Sequence, residues 1–172
     1  FISLKDIFTV VGKDPLRYFM ISTKNETPID FNIDKVIEKN KDNPVFYCQY
    51  AYARASSVIN KSKTFKEFKN FKNKFNEFDY LSLSKYEWEI ILKLLSWPYL
   101  LNQTSQFKQP HRITNYLEDL SSSFHSFWNK GKEDHSLRML DLENTKKTLT
   151  KLLWIESFRI VVKRAFTIIG IE

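Results

Sequence analysis

At 172 residues, 42% of them hydrophobic and 16% aromatic, the chain has the length of about one domain and enough apolar surface for a buried core, which excludes global disorder. Three glycines and five prolines leave little turn chemistry for an all-β fold and favour helices. A net charge of +7 points to an anionic partner, nucleic acid first. The lone Cys48 rules out an intramolecular disulfide, and no run approaches the roughly 18 apolar residues that span a bilayer, so a cytoplasmic protein without a membrane partner is expected.

Residues 1–40 break into short pieces, "LKDIFTVVG", "DPLRYFMISTKN" and "DFNIDKVIEKN", which read as connecting helices and loops. Asp14 before Pro15 is a helix start, since an aspartate can cap free amides and proline fits the first turn. The chain opens on Phe1 in mid-pattern and so reads as part of something longer. Pro44 then begins a helix through "NPVFYCQYAYAR", which carries four aromatics, a glutamine and an arginine. At 3.6 residues per turn Cys48, Tyr52, Ala55 and Ile59 form a core stripe, and Tyr47, Tyr50, Arg54 and Lys61 lie on the opposite side.

From Lys61 to Phe78, "KSKTFKEFKNFKNKFNEF" places Phe65, Phe68, Phe75 and Phe78 at roughly helical spacing among six lysines. It reads as an amphipathic helix or a loosely ordered insertion. The next helix, "SKYEWEIILKLLSW", has Ser84 as cap and Glu87 at the capping-box distance, and Pro98 is expected to stop it. Pro110 leads into "HRITNYLEDLSSSFHSFWNK", which Gly131 should close. Its apolar stripe is Ile113, Leu117, Leu120, Phe124 and Phe127. A polar stretch then precedes a long final helix, "TKKTLTKLLWIESFRIVVKRAFTIIG". The fold class is all-α, a bundle of four to five main helices with short connecting helices at the N-terminus. No dimer stripe is evident and a monomer is expected.

With its glycines isolated at Gly12, Gly131 and Gly170, the chain has no glycine-rich loop to cradle phosphates. His111, His125, His135, Cys48 and Asp134 match no zinc spacing, so no metal is expected. Glu118 and Asp119 near His125 are explained as solvated positions of an amphipathic helix, and no catalytic residue is assigned. The aromatic and basic residues are more informative. Single-stranded RNA is held by bases stacked on tyrosine or arginine planes and by cations at its phosphates, and Tyr47, Tyr50 and Arg54 offer that combination on one helical face. Two other readings stay open: a helical protein-interaction module whose aromatic face docks a partner helix, and nonspecific RNA binding through the lysine tract.

"NPVFYCQYAYAR" closely resembles the start of the helical, DALR-type anticodon-binding domain of bacterial class I arginyl-tRNA synthetases. "VGKDPLRYFMISTKNETPIDFNIDKVIEKNKDNP" is similar to the segment that leaves the catalytic domain in that family. "QPHRITNYLEDLSSSFHSFWNKG" and "RIVVKRAFTIIGIE" are similar to its later helices. The resemblance implies that residues 1–40 connect to a catalytic domain outside this sequence and that 41–172 form the anticodon-binding domain. It further implies a full-length ligase that joins arginine to its tRNA using ATP with magnesium, while this part holds no cofactor. The partners implied are arginine tRNA and the catalytic domain of the same chain. Carried over by position, Gln49, Tyr50 and Arg54 are anticodon contacts, joined by Tyr47 from the same face, and Tyr116 is a second stacking residue. Lys61, Arg112 and Lys130 are expected at phosphates. Two departures stand out: Tyr52 replaces the family's usual histidine and is left off the RNA surface, and the chain stops at Glu172 where relatives continue to a terminal methionine.

Overall fold

The computed structural model describes residues 3–24, 26–28, 32–38 and 42–171. Phe1 and Glu172, on which two of the expectations above rest, lie outside them. Among the described residues there is no strand, and seven α-helices form: α1 (Leu4–Val11), α2 (Lys13–Ser22), α3 (Ile33–Ile37), α4 (Pro44–Ser62), α5 (Lys85–Phe107), α6 (His111–Glu133) and α7 (Thr145–Ile169). The four long ones are the bundle. α6 is its centre, antiparallel to α5 and α7 and parallel to α4.

The expected stripe of α6 is the core. Ile113, Leu117, Leu120, Phe124 and Phe127 are all at most 2% exposed. Phe124 stacks on Phe158 of α7 with ring centroids 4.5 Å apart, and Trp154 stands edge-on to Phe127 at 5.5 Å. On α4 the stripe of Cys48, Ala55 and Ile59 is equally buried, together with Val45, Ala51 and Val58. Burial pushes the Cys48 thiol up to about 12, which makes it an inert core group. Tyr52 is half-buried, edge-on to Phe166 of α7 at 6.3 Å, in keeping with its core-side placement.

Asn43 starts α4. Its Oδ1 accepts from the amides of Val45 and Phe46, and its Nδ2 donates to the carbonyls of Val36 and Glu38 at 2.7 and 2.9 Å. One buried side chain thus caps the bundle's first long helix and ties it to the end of α3. Asn43→Ala is expected to lower stability by about 2 kcal/mol, the upper end for a lost cap, because the buried Val36 carbonyl and the part-buried Glu38 carbonyl lose their donor as well. Urea unfolding checks this, and a change below about 0.5 kcal/mol would contradict it.

Several expectations are corrected. Pro98 does not stop α5, which continues to Phe107. Proline removes one intrahelical donor, the one that would meet the Leu94 carbonyl, and Pro98 lies on the exposed side of α5. α2 begins at Lys13, ahead of Asp14, so Asp14 lies in the first turn and does not cap it. α6 runs two residues past Gly131 to Glu133, and Gly131 is required for a close approach: a Cβ there would sit 3.1 Å from the Leu137 carbonyl oxygen. The lysine tract is neither a helix nor loose. Beyond the end of α4 it folds as three short 3-10 turns, with Asn70 in the left-handed region and Phe68 and Phe71 driven into the core beside α7.

α2 packs against the bundle. Tyr18 of α2 is fully buried, and its hydroxyl donates to Glu118 of α6 at 2.9 Å and to the Thr114 carbonyl. Arg17 donates through Nε to the Ile169 carbonyl at the end of α7. Gly170, at φ +74°, makes room for it, since a Cβ there would collide with the guanidinium. Among the described residues no helix is long and apolar enough to cross a membrane.

Candidate nucleic-acid interface

α4 and α6 run side by side, and their shared outer groove gathers the aromatic and basic residues. Tyr47, Tyr50 and Arg54 follow one another at three- and four-residue steps on α4, while His125 and Trp128 project from α6 at a three-residue step. The Arg54 guanidinium organises them. It lies 4.0 Å above the Tyr50 ring and 5.0 Å from the Trp128 ring, donates through Nη2 to the Tyr50 hydroxyl at 2.9 Å, and meets His125 Nδ1 through Nη1 at 2.9 Å.

The hydrogen bonds fix the state of His125. Its Nε2 is 3.0 Å from the Tyr47 carbonyl, which only accepts, so the proton sits on Nε2. Nδ1 is then the acceptor for Arg54. A neutral imidazole satisfies both neighbours; an imidazolium would turn a donor toward Arg54. Burial holds the His125 pKa below the usual imidazole range, the Tyr47 carbonyl pulls it up, and nearby Arg54 pushes it down again. Because the folded form binds the proton less readily than the unfolded chain, stability is complete above about pH 6.5 and falls as the pH drops through that value. The melting temperature should therefore fall between pH 7 and pH 5. His125→Gln should show a smaller fall than the parent, and equal falls would contradict this assignment. His111, whose pKa burial also lowers, contributes equally to both proteins.

The surface left open carries the exposed Tyr50 with a cation over its ring. Tyr50 is 43% exposed and stacks on Phe46 at 5.8 Å. Tyr47 is half-buried, its ring 4.3 Å from His125. The opposite side of α4 is therefore partly covered by α6, contrary to the helical pattern of α4 taken alone. Gln49 is half-buried on the same turn, and Lys61 is exposed at the end of α4.

Three expected contacts fall elsewhere. Tyr116 is only 9% exposed, its ring 5.2 Å from Trp97 and its hydroxyl bound to the Lys93 carbonyl, so it has no free face for a base. Arg112 binds Gln109 through Nε at 2.6 Å and lies over Phe107; it stands at the opening turn of α6, about 20 Å along the axis from His125. Lys130 faces α5, 4.4 Å above the Tyr86 ring. Sequence reasoning missed His125 and Trp128. Their signal was the spacing 121, 125, 128, which follows the edge of the apolar stripe.

The family described as the DALR anticodon binding domain matches residues 48–172. An arginine–tRNA ligase of Parvibaculum lavamentivorans is 37% identical over all of this chain, which covers 30% of that relative. One of Rickettsia rickettsii gives the same identity and the same two coverages. A Campylobacter jejuni crystal structure described as an arginyl tRNA synthetase superposes with a TM-score of 0.78 at 26% identity, over 100% of this chain and 35% of that one. Thermus thermophilus arginyl-tRNA synthetase shares the fold, with a TM-score of 0.70 at 21% identity over 94% of this chain and 26% of the other. The chain thus spans about a third of the length of the relatives it matches.

Proposed function

We propose, on the premise that this chain belongs to the DALR anticodon binding domain family, that it holds arginine tRNA by the anticodon loop and reads bases there through the α4–α6 groove. The observation that carries this is the Tyr50–Arg54–His125–Trp128 cluster inside the matched residues, in which the exposed Tyr50 and the half-buried Trp128 flank a guanidinium fixed by the buried His125. Unstacked RNA bases pack on such planes and hydrogen-bond to neighbouring polar tips. Tyr47, Tyr50 and Arg54 are the proposed base contacts, with Gln49 beside them and Lys61 at a phosphate.

The parent protein is a ligase that joins arginine to its tRNA, as the names of the relatives support, and residues 1–40 lead toward its catalytic portion. That reaction takes ATP and magnesium. This chain's residues do not fit them: among the described residues no group of three or more His, Cys, Asp or Glu is placed to hold a metal ion, and the three glycines serve helix ends and one close contact. Work in translation places the parent in the cytoplasm, and no second copy is needed to complete the groove.

A protein-interaction module is the competing class, and a partner helix would ask for an apolar groove. Here a guanidinium occupies the middle of the face. Salt separates the two readings, because phosphate contacts release counterions. For about three phosphates on a single-stranded loop, the logarithm of the affinity for arginine tRNA should fall against the logarithm of salt with a slope near −2. A slope near zero would contradict the reading.

A further inference from the structure

The groove between α4 and α6 does not end at Trp128. One turn further along it opens into a cleft of about 360 Å³, lined by Ser57, Val58, Lys61, Phe127, Trp128 and the chain that returns after α6, residues 137–140. This is the lower end of the volumes that hold small ligands, about 300–1,000 Å³. Arg54, Ser57 and Lys61 lie at successive three- and four-residue steps on α4, as do His125, Trp128 and Lys132 on α6, so the cleft continues the groove described above on both helices.

Its chemistry is that of the groove in a different order. The floor is apolar, with Val58, Phe127 and Met139 buried. One wall is the half-buried Trp128 indole, which also meets Arg54. The rim carries Lys61, Lys132 and Arg138, all exposed. Lys72, Lys74 and Lys93 are drawn into ion pairs, whereas Lys61 and Lys132 enter none among the described residues. Glu133 is exposed beside this rim, and Asp134 is turned away to cap the following turn through the Ser136 amide. The far wall is fixed: the Lys151 ammonium, buried beneath it, donates to the carbonyls of Ser136 and Arg138 at 3.2 and 2.6 Å. The close approach at Gly131 holds Leu137 in place.

We propose that this cleft takes a second unstacked base of the same RNA loop, next to the base met by Tyr50 and Arg54, with its phosphates at Lys61 and Lys132. The inference rests on the anticodon-loop reading above. A flat base on an apolar floor, edged by an indole and ringed by unpaired lysines, is the arrangement by which splayed RNA bases are held.

The test uses the arginine tRNA anticodon stem-loop with single abasic substitutions at each loop position, bound to the parent chain and to three variants. Arg54→Ala removes the first subsite. Ser57→Trp fills the cleft from an exposed position. Lys61→Ala with Lys132→Ala removes only exposed charge, so it reports even if the bulky variant folds poorly. The expected result is two sensitive loop positions in the parent, each losing about 10-fold on removal of the base. Sensitivity at one is lost in Ser57→Trp and retained in Arg54→Ala; the double lysine variant weakens binding about 10-fold and flattens the salt dependence. If Ser57→Trp and the lysine variant bind every stem-loop as the parent does while Arg54→Ala does not, the cleft assignment is overturned and the anticodon-loop reading stands. If the parent is insensitive at every position and Arg54→Ala changes nothing, that reading fails and this one with it.

Discussion

Replacing Phe124 by alanine is expected to lower the unfolding free energy by about 3–5 kcal/mol, the range for a large aromatic removed from a packed core. Phe124 is fully buried, stacked on Phe158 at 4.5 Å, with Trp154 and Trp128 each 6.4 Å away and His125 at 6.2 Å. Its neighbours belong to two long helices that cannot close over the void without moving the bundle axis, so most of the cavity cost should remain. The same ring backs His125 and Trp128, so the variant should also bind arginine tRNA less well at temperatures where it stays folded. Chemical unfolding followed by circular dichroism checks the first effect. A loss under about 1 kcal/mol would mean that α6 and α7 repack freely and that Phe124 is not the hinge of core and groove.

Arg54→Ala is expected to cost about 1–3 kcal/mol in arginine tRNA binding, the range for a side chain that meets a base directly. The guanidinium is held by the Tyr50 hydroxyl, by His125 and between two rings, so it is presented to a ligand with little conformational freedom left to lose. Lysine should not substitute for it, because a point charge on a flexible stem reproduces neither the planar stack nor the two simultaneous donations. Removal of one phosphate contact instead would lower affinity for every RNA alike and reduce the salt slope by about 0.7. Affinities of the parent, Arg54→Ala and Arg54→Lys at several salt concentrations distinguish the two. Unchanged binding with an intact fold would remove Arg54 from the interface.

The helices and their buried faces were legible because the patterns were long. Steps of four, three, four and three from Ile113 to Phe127 leave one helical face, and Ser84 with Glu87 forms the capping box its spacing announced. What was misread depended on partners that lie far away in sequence. Pro98 reads as a stop, yet α5 runs through it with the proline on its exposed side. The lysine tract reads as a helix because its phenylalanines recur at the right interval, yet Asn70 turns left-handed and buries Phe71, a residue outside that interval. Tyr116 could have been excluded from sequence alone, since it stands three residues after Ile113 and four before Leu120 and so shares their buried face. On α4 the pattern separated Tyr50 and Arg54 from the core side correctly. It gave no sign that His125 would supply the acceptor that orients Arg54, because the two are 71 residues apart.

The most direct measurement is the affinity of this chain, and of its Arg54→Ala variant, for arginine tRNA transcripts with the natural anticodon and with single anticodon substitutions, at one fixed near-physiological salt concentration. If the α4–α6 groove reads bases, at least one substitution weakens binding to the parent by about 1 kcal/mol or more and has a much smaller effect on the variant. If every transcript binds the parent equally, the chain grips only the RNA backbone and the central assignment of the groove is wrong.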